Sequence, residues 1–280
     1  MSRIILKDVL EDARKKGYAI GQFNFSTLDQ LQGIVSAAKE LETPVICGTS
    51  EGEADFLGLK EAASLVWIMR EKEGVPIFLN LDHGGSVERI KEAVDAGYDM
   101  VHFDGSKRDF KENMKLTGEV VDYAKEKNLI VEGEVSEISG SSTVSEEILE
   151  ETTLTPVEKV AKFTESTGVD CVALGVGNVH GVHRGTPSLK KERIREFLDL
   201  DERFLVLHGG SGISDEDLKE MVKEGIVKVN VNTELRVAWR KGVEQSLKEK
   251  SDEVTPYKIL PVARDLVHEK VKEKLEIFGK

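Results

Sequence analysis

Eight short apolar runs, each closed by turn residues and most followed by a stretch of helical periodicity, recur along the 280-residue chain. They cover residues 19–25, 44–48, 76–81, 100–103, 129–135, 171–176, 204–207 and 226–231. Helix-like segments at 27–41, 86–96, 110–127, 156–167 and 215–223 alternate with them, several opening on acidic residues that suit a helix N-terminus. Strands joined by helical crossovers run parallel. Eight such units in this length predict an α/β fold, a single (β/α)8 TIM barrel over residues 1–280, with an open doubly wound sheet as the alternative. No linker or change of composition divides the chain. The one long polar insertion, residues 136–155 after the fifth run, is expected to be a mobile active-site lid.

Composition narrows the function. Acidic residues outnumber basic ones, 52 to 39, for a net charge of −13, which argues against a nonspecific nucleic-acid surface or an anionic-membrane surface. An anionic substrate therefore needs local donors. The longest apolar run falls well short of the roughly 18 to 20 residues that span a bilayer, and no signal-peptide core opens the chain. Cys47 and Cys171 lie inside apolar runs and form no disulfide framework of the secreted kind, so a reducing cytoplasm is the expected location.

The residues at the strand ends carry the chemistry: Asn24, Ser50, Asp82 and His83, Asp104, Glu132 and Glu134, Asn178 and His180, His208, Asn230 and Asn232. In a barrel these ends converge on one face, where barrel active sites are built. His83, His180 and His208 would meet there, and three imidazoles with an open position describe a catalytic zinc site, with Glu134 as an additional ligand. Asp104 is a further candidate ligand. A lone strand-end histidine is more often a hydrogen-bonded structural residue; the convergence of three is what favours metal. His102, His183 and His268 are assigned no chemistry, His102 being expected to pack or hydrogen-bond inside its strand. Asp82 suits either a helix cap or a proton donor held beside the metal. Glu132 and Glu134 share strand parity and would face the interior, costly without a cation nearby.

After the seventh run, His208-Gly209-Gly210-Ser211-Gly212 precedes a helix opened by Ser214, Asp215 and Glu216, and Asn230-Val231-Asn232-Thr233-Glu234 repeats the arrangement after the eighth. Glycines allow backbone amides close to an anion, and a helix N-terminus adds partial positive charge. Phosphate held by the last two loops is a recurrent barrel device. Alone, the glycine segment reads equally as a plain turn. It has neither the spacing of a nucleophile elbow nor the lysine of a P-loop.

At Leu81-Asp82-His83-Gly84, Gly177-Asn178-Val179-His180-Gly181, His208-Gly209-Gly210-Ser211-Gly212 and Val229-Asn230-Val231-Asn232-Thr233, the chain resembles the class II, metal-dependent ketose-bisphosphate aldolases. The resemblance runs from about Asn24 to the C-terminus. It implies Zn2+ on His83, His180 and His208, Glu134 binding metal in an alternative position, and Asp82 exchanging a proton with the C4 hydroxyl. It implies that Gly181, Gly209, Ser211, Asn230 and Thr233 hold dihydroxyacetone phosphate, with Gly210 and Asn232 in the same loops, and that a monovalent cation, Na+ or K+, lies near Gly181, Gly209 and Ser211. Asn24 and Ser50 match substrate-facing positions. Homodimers or homotetramers, sugar-phosphate substrates and a place in carbohydrate metabolism follow from the same resemblance.

Three departures bear on specificity. The family's loop after strand five commonly reads Gly-Gly-x-Glu-Asp; here it runs through Ser139-Gly140-Ser141-Ser142-Thr143-Val144-Ser145-Glu146-Glu147, leaving Glu146 and Glu147 as shifted candidates for the base at C3. Arg184 replaces a lysine after the His-Gly motif. Thr255-Pro256-Tyr257 stands where many members have Asp-Pro-Arg, whose arginine helps hold the second phosphate, and Arg236, Arg240 and Lys258 are the candidates to compensate. The expected reaction is cleavage of fructose 1,6-bisphosphate, with tagatose 1,6-bisphosphate second and a monophosphate such as 6-phospho-5-dehydro-2-deoxygluconate as the alternative. Two rivals are a Schiff-base aldolase using Lys228 and a noncatalytic sugar-phosphate-binding subunit.

Overall fold

In the computed structural model, which describes residues 4–148, 154–184 and 188–279, all eight apolar runs become parallel strands. The strands in chain order are β1 (Ile20–Asn24), β2 (Val45–Ser50), β3 (Ile77–Gly84), β4 (Met100–Asp104), β5 (Ile130–Glu134), β6 (Gly140–Ile148), β7 (Cys171–Ala173), β8 (His180–Arg184), β9 (Phe204–Leu207) and β10 (Ile226–Val231). Eight of them close a barrel in the order β1-β10-β9-β7-β5-β4-β3-β2, while β6 and β8 form a separate two-stranded sheet. Closure is explicit in the register: Phe23 of β1 pairs with Cys47 on one side and Val231 on the other. The open-sheet alternative is therefore excluded.

Strand parity divides the side chains into two cores. Val45, Cys47, Ile77, Leu79, Leu81, Val101 and Phe103 pack outward against the helices, while Ile46, Phe78, Met100, Ile130, Cys171 and Val206 point inward. The helix Leu6–Lys16 closes the lower mouth, burying Leu6, Val9, Leu10 and Ala13 against that inner set. Farther along the same inward rows the residues turn polar: Asn80 and Asp82, His102, Glu132 and Glu134, His208, Lys228 and Asn230. Apolar below and polar above, the rows set the chemistry at the C-terminal ends of the strands.

The sixth run is a strand only as far as Ala173, and His180 opens a further strand, β8; two other differences from the sequence reading have local reasons. The third strand continues through Gly84, with a register shift against β4 between Leu81 and Gly84. Within it His83 takes φ 54°, the left-handed region that few non-glycine residues enter. Successive strand residues normally face opposite ways; the shift and the reversed φ let both Asp82 and His83 line the same cleft. The insertion at 136–155, read as a loop, contains β6, which pairs in parallel with the segment carrying His180. The anchor is backbone: His180 N donates to Ser139 O at 2.8 Å, and a Cβ on Gly140 would stand 2.4 Å from His180 O. The β-branched pair Thr143-Val144 suits an extended ribbon, a signal the polar composition concealed.

Candidate active site

A cleft of about 310 Å³ opens at the C-terminal end of the barrel. Its walls include Ser50, Asp82, His83, Asp104, Glu134, His180, Gly181, His208, Gly209, Ser211, Asn230, Asn232 and Thr233, all expected from the sequence. The imidazole centroids of His83 lie 4.9 Å from His180 and 4.7 Å from His208, and His180 and His208 are 5.8 Å apart.

The hydrogen bonds around these rings fix which nitrogens face one another. Asp104 Oδ2 stands 2.9 Å from His83 Nδ1, and Glu132 Oε1 stands 2.5 Å from His208 Nε2. A carboxylate accepts, so the protons reside on those two nitrogens. The remaining nitrogens, His83 Nε2 and His208 Nδ1, point at each other across 3.0 Å. Two lone pairs repel at that distance unless a cation lies between them, whether a proton or a metal ion. The spacing is close to the roughly 3.3 Å edge of a tetrahedral zinc site. Burial, reinforced by the neighbouring imidazoles, lowers His180 to about 3; burial also lowers His208 to about 4, so both are neutral and available as donors at neutral pH. Glu134 Oε2 is buried with no hydrogen-bond partner among the described residues and stands 3.7 Å from His83 Nδ1. Burial and the charge of Asp104 push its carboxyl up to about 8, the mark of an acidic group awaiting a positive charge. The donor set fits a divalent metal.

Asp82 lies beside this centre, its Oδ1 4.0 Å from His83 Nε2. Burial would raise its carboxyl, but the charge of His83, His102 Nδ1 at 3.8 Å and the Lys228 ammonium hold it well below the usual range. The amides of Asn24 and Asn230 donate to it at 3.0 and 3.1 Å. Asp82 is an ionised base in a fixed orientation, not a helix cap; Ser86 caps the following helix.

On the opposite wall Gly181 and Gly209 adopt φ 98° and 61°. At Gly209 a Cβ would stand 2.1 Å from Val179 O, so only glycine brings this backbone so close to its neighbour. Gly210, also expected among the substrate contacts, donates its N–H to Asn230 O at 2.9 Å, and a Cβ there would stand 2.8 Å from Val229 Cγ1. Glu146, Glu147 and Arg184 have backbones in β6 and β8, but their side chains lie outside the described residues.

The family model for class-II fructose-bisphosphate aldolases matches residues 5–280. This chain belongs to the class II fructose-bisphosphate aldolase family. A fructose-bisphosphate aldolase of Geobacillus stearothermophilus is 36% identical over 284 residues, covering all of this chain and 98% of the relative. A probable fructose-bisphosphate aldolase of Bacillus subtilis is 36% identical over 282 residues, with the same coverage. Among solved structures, the YdjI aldolase of Escherichia coli K12 superposes with a TM-score of 0.85 at 33% identity, covering 98% of this chain and 96% of that one. The class II aldolase assignment makes the protein a metal-dependent carbon–carbon lyase, against both the Schiff-base and noncatalytic readings. Lys228 agrees: it is fully buried, with its ammonium held by Glu132 Oε2 at 2.7 Å and Asn230 Oδ1 at 2.8 Å.

Several residues of this aldolase site escaped sequence reasoning. His102 is hydrogen-bonded, one of the two roles expected of it, accepting the backbone N–H of His83 through Nδ1 at 3.2 Å; what was not foreseen is its place in the cluster, with its ring centroid 4.5 Å from that of His83. Glu53 is buried beneath the cleft, accepting from Ser50 N at 2.8 Å, Asn24 Nδ2 at 3.0 Å and Arg236 at 2.6 Å. Ser50-Glu51-Gly52-Glu53 is a capping box, so its role in starting a helix was legible although its reach into the site was not. Lys107 also lines the cleft, as does Arg236, already a candidate to compensate for the missing arginine, whereas Tyr257 is 76% exposed and does not.

Proposed function

We propose that this aldolase reversibly cleaves fructose 1,6-bisphosphate to dihydroxyacetone phosphate and glyceraldehyde 3-phosphate, with zinc held by His83, His180 and His208. The observation that carries the reading is the pair of facing imidazole nitrogens, 3.0 Å apart, with Asp82 alongside. Full-length relatives named fructose-bisphosphate aldolase support the substrate. When bound, the metal would polarise the substrate carbonyl and stabilise the negative charge that develops as the C3–C4 bond breaks.

The chain's own groups do the rest. Asp82 Oδ takes the C4 hydroxyl proton; C4 becomes the aldehyde carbon, and the C3–C4 electron pair moves into the enediolate. Asn24 and Asn230 keep that carboxylate ionised and aimed. Glu146 or Glu147, from the 136–155 lid, returns a proton to C3 to complete dihydroxyacetone phosphate. Gly181, Gly209, Ser211, Asn230 and Thr233 bind its phosphate, Arg184 adds positive charge, and a monovalent cation sits among the first three. Ser50, Asn24 and Asn232 face the rest of the substrate. Glu134, and Asp104 beside it, offer the metal an alternative position. The protein works in the cytoplasm as a homodimer or homotetramer, within carbohydrate metabolism.

A second reading rests on Tyr257, which offers one neutral donor where a charged fork would suit phosphate, and which is directed to solvent. The substrate would then be a ketose monophosphate such as 6-phospho-5-dehydro-2-deoxygluconate. Measuring kcat/KM side by side on fructose 1,6-bisphosphate, tagatose 1,6-bisphosphate, fructose 1-phosphate and that ketogluconate phosphate decides the matter. Preference for fructose 1,6-bisphosphate supports the first reading, and preference for a monophosphate overturns it.

A further inference from the structure

Beneath the metal-binding imidazoles, the buried interior of the barrel carries one ammonium that touches both halves of the chemistry. Lys228 and Glu132 are each fully buried. The Lys228 Nζ donates to Glu132 Oε2 at 2.7 Å and to Asn230 Oδ1 at 2.8 Å. Glu132 turns its other oxygen to His208 Nε2 at 2.5 Å, and Asn230 turns its amide nitrogen to Asp82 Oδ1 at 3.1 Å. We propose that Lys228 is a positioning residue that sets, at once, the tautomer of the metal ligand His208 and the orientation of the Asn230 amide at Asp82. The inference rests on the reading that His208 binds the metal and Asp82 moves the proton.

The argument is one of donors and acceptors. An ammonium has three protons and no lone pair, so the Asn230 group facing it must be the carbonyl oxygen. That leaves the NH2 group for Asp82. Without the ammonium, the amide can rotate by half a turn at little cost in shape and present its oxygen to the Asp82 carboxylate, repelling the base it now steadies. On the other side, Glu132 paired with an ammonium is a carboxylate and can only accept. His208 therefore keeps its proton on Nε2, and Nδ1 is left with its lone pair toward His83 Nε2. The i, i+2 spacing of Lys228 and Asn230 on β10 places both on the inner face, one layer apart.

The test pairs Lys228→Met, which keeps length but removes charge and donors, with the double variant Glu132→Gln/Lys228→Met. The double variant removes both charges of the ion pair, so it is expected to fold where an uncompensated Glu132 would prevent it. Each is checked by far-UV circular dichroism and thermal melting, then titrated with zinc against a chelator, and assayed with zinc in excess. Removal of Lys228 should weaken zinc binding by about 10- to 100-fold. In the zinc-saturated protein it should lower kcat on the order of 100-fold, with KM within about threefold. A folded double variant should show both losses. Wild-type zinc affinity together with wild-type kcat in the folded double variant would show that the ion pair serves stability alone and overturn the proposal. A wild-type protein that neither binds zinc nor cleaves a ketose phosphate would instead overturn the underlying reading.

Discussion

Asn24, at the end of β1, donates its amide hydrogen to the Asp82 carboxylate of β3 at 3.0 Å, tying two distant strands at the group proposed to take the proton. Asp82 also accepts from Asn230 at 3.1 Å, so its orientation has two supports. Asp82→Ala should lower kcat by about 10² to 10⁴-fold while the protein still binds one zinc per chain. Asn24→Ala should cost less, on the order of 1 kcal/mol or five- to tenfold in kcat/KM, because one donor remains. Steady-state kinetics with zinc content measured on the same samples checks both; an active Asp82→Ala protein would remove the assigned base.

Metal dependence has a direct signature. EDTA should abolish cleavage and zinc should restore it, while borohydride added with substrate should leave Lys228 unlabelled. His83→Ala, His180→Ala and His208→Ala should each lose stoichiometric zinc. Asp104→Ala, which removes the carboxylate 2.9 Å from His83 Nδ1, should weaken zinc binding by about 10- to 100-fold. Chelator competition measures the difference, and unchanged affinity in Asp104→Ala would deny it the orienting role.

Gly209 lies in the wall expected to receive phosphate, at φ 61° and with Val179 O 2.1 Å from the place of a Cβ. Gly209→Ala combines a left-handed penalty of about 1–2 kcal/mol with a backbone clash. For a chain of this size each kcal/mol lowers Tm by roughly 2–4 °C. The expected result is a Tm lower by about 5 °C or more together with a raised KM. A variant with unaltered Tm and KM would mean that this loop has room the geometry denies.

Glu53 joins Ser50, Asn24 and Arg236 beneath the cleft. Ser50→Ala removes one arm of the capping box and should cost about 1 kcal/mol of stability. Glu53→Ala removes the shared acceptor of four site residues, Ser50, Asn24, Asn232 and Arg236, so it should depress kcat/KM more strongly than Ser50→Ala does. Equal, small effects on both would make Glu53 a helix cap alone.

The proposed role of the 136–155 segment is tested through proton exchange. If Glu146 or Glu147 acts at C3, its replacement by Ala should slow exchange of the dihydroxyacetone phosphate C3 hydrogen with solvent by about 10² to 10⁴-fold. Exchange at the wild-type rate in both variants would place the base elsewhere.

The order of elements, barrel closure and the strand-end histidines were legible in the chain because they depend on period and position. Alternating apolar runs select strands, parity selects the inward rows, and parallel connectivity brings every strand's end to one face. Thus His83, His180 and His208 could be grouped although they lie 97 and 28 residues apart in sequence. What tertiary structure decided depends on distances between strands that no local pattern encodes. The pairing of Lys228 with Glu132 spans 96 residues, and Glu53 reaches Arg236 across 183. His102 looked like an ordinary strand residue because its neighbours in space, His83 and His208, arrive from β3 and the end of β9. The φ of 54° at His83, which turns two adjacent side chains into one cleft, likewise arises from a register shift between whole strands. Hydrophobic period is a property of a segment; tautomers, charge pairs and backbone strain are properties of the closed barrel.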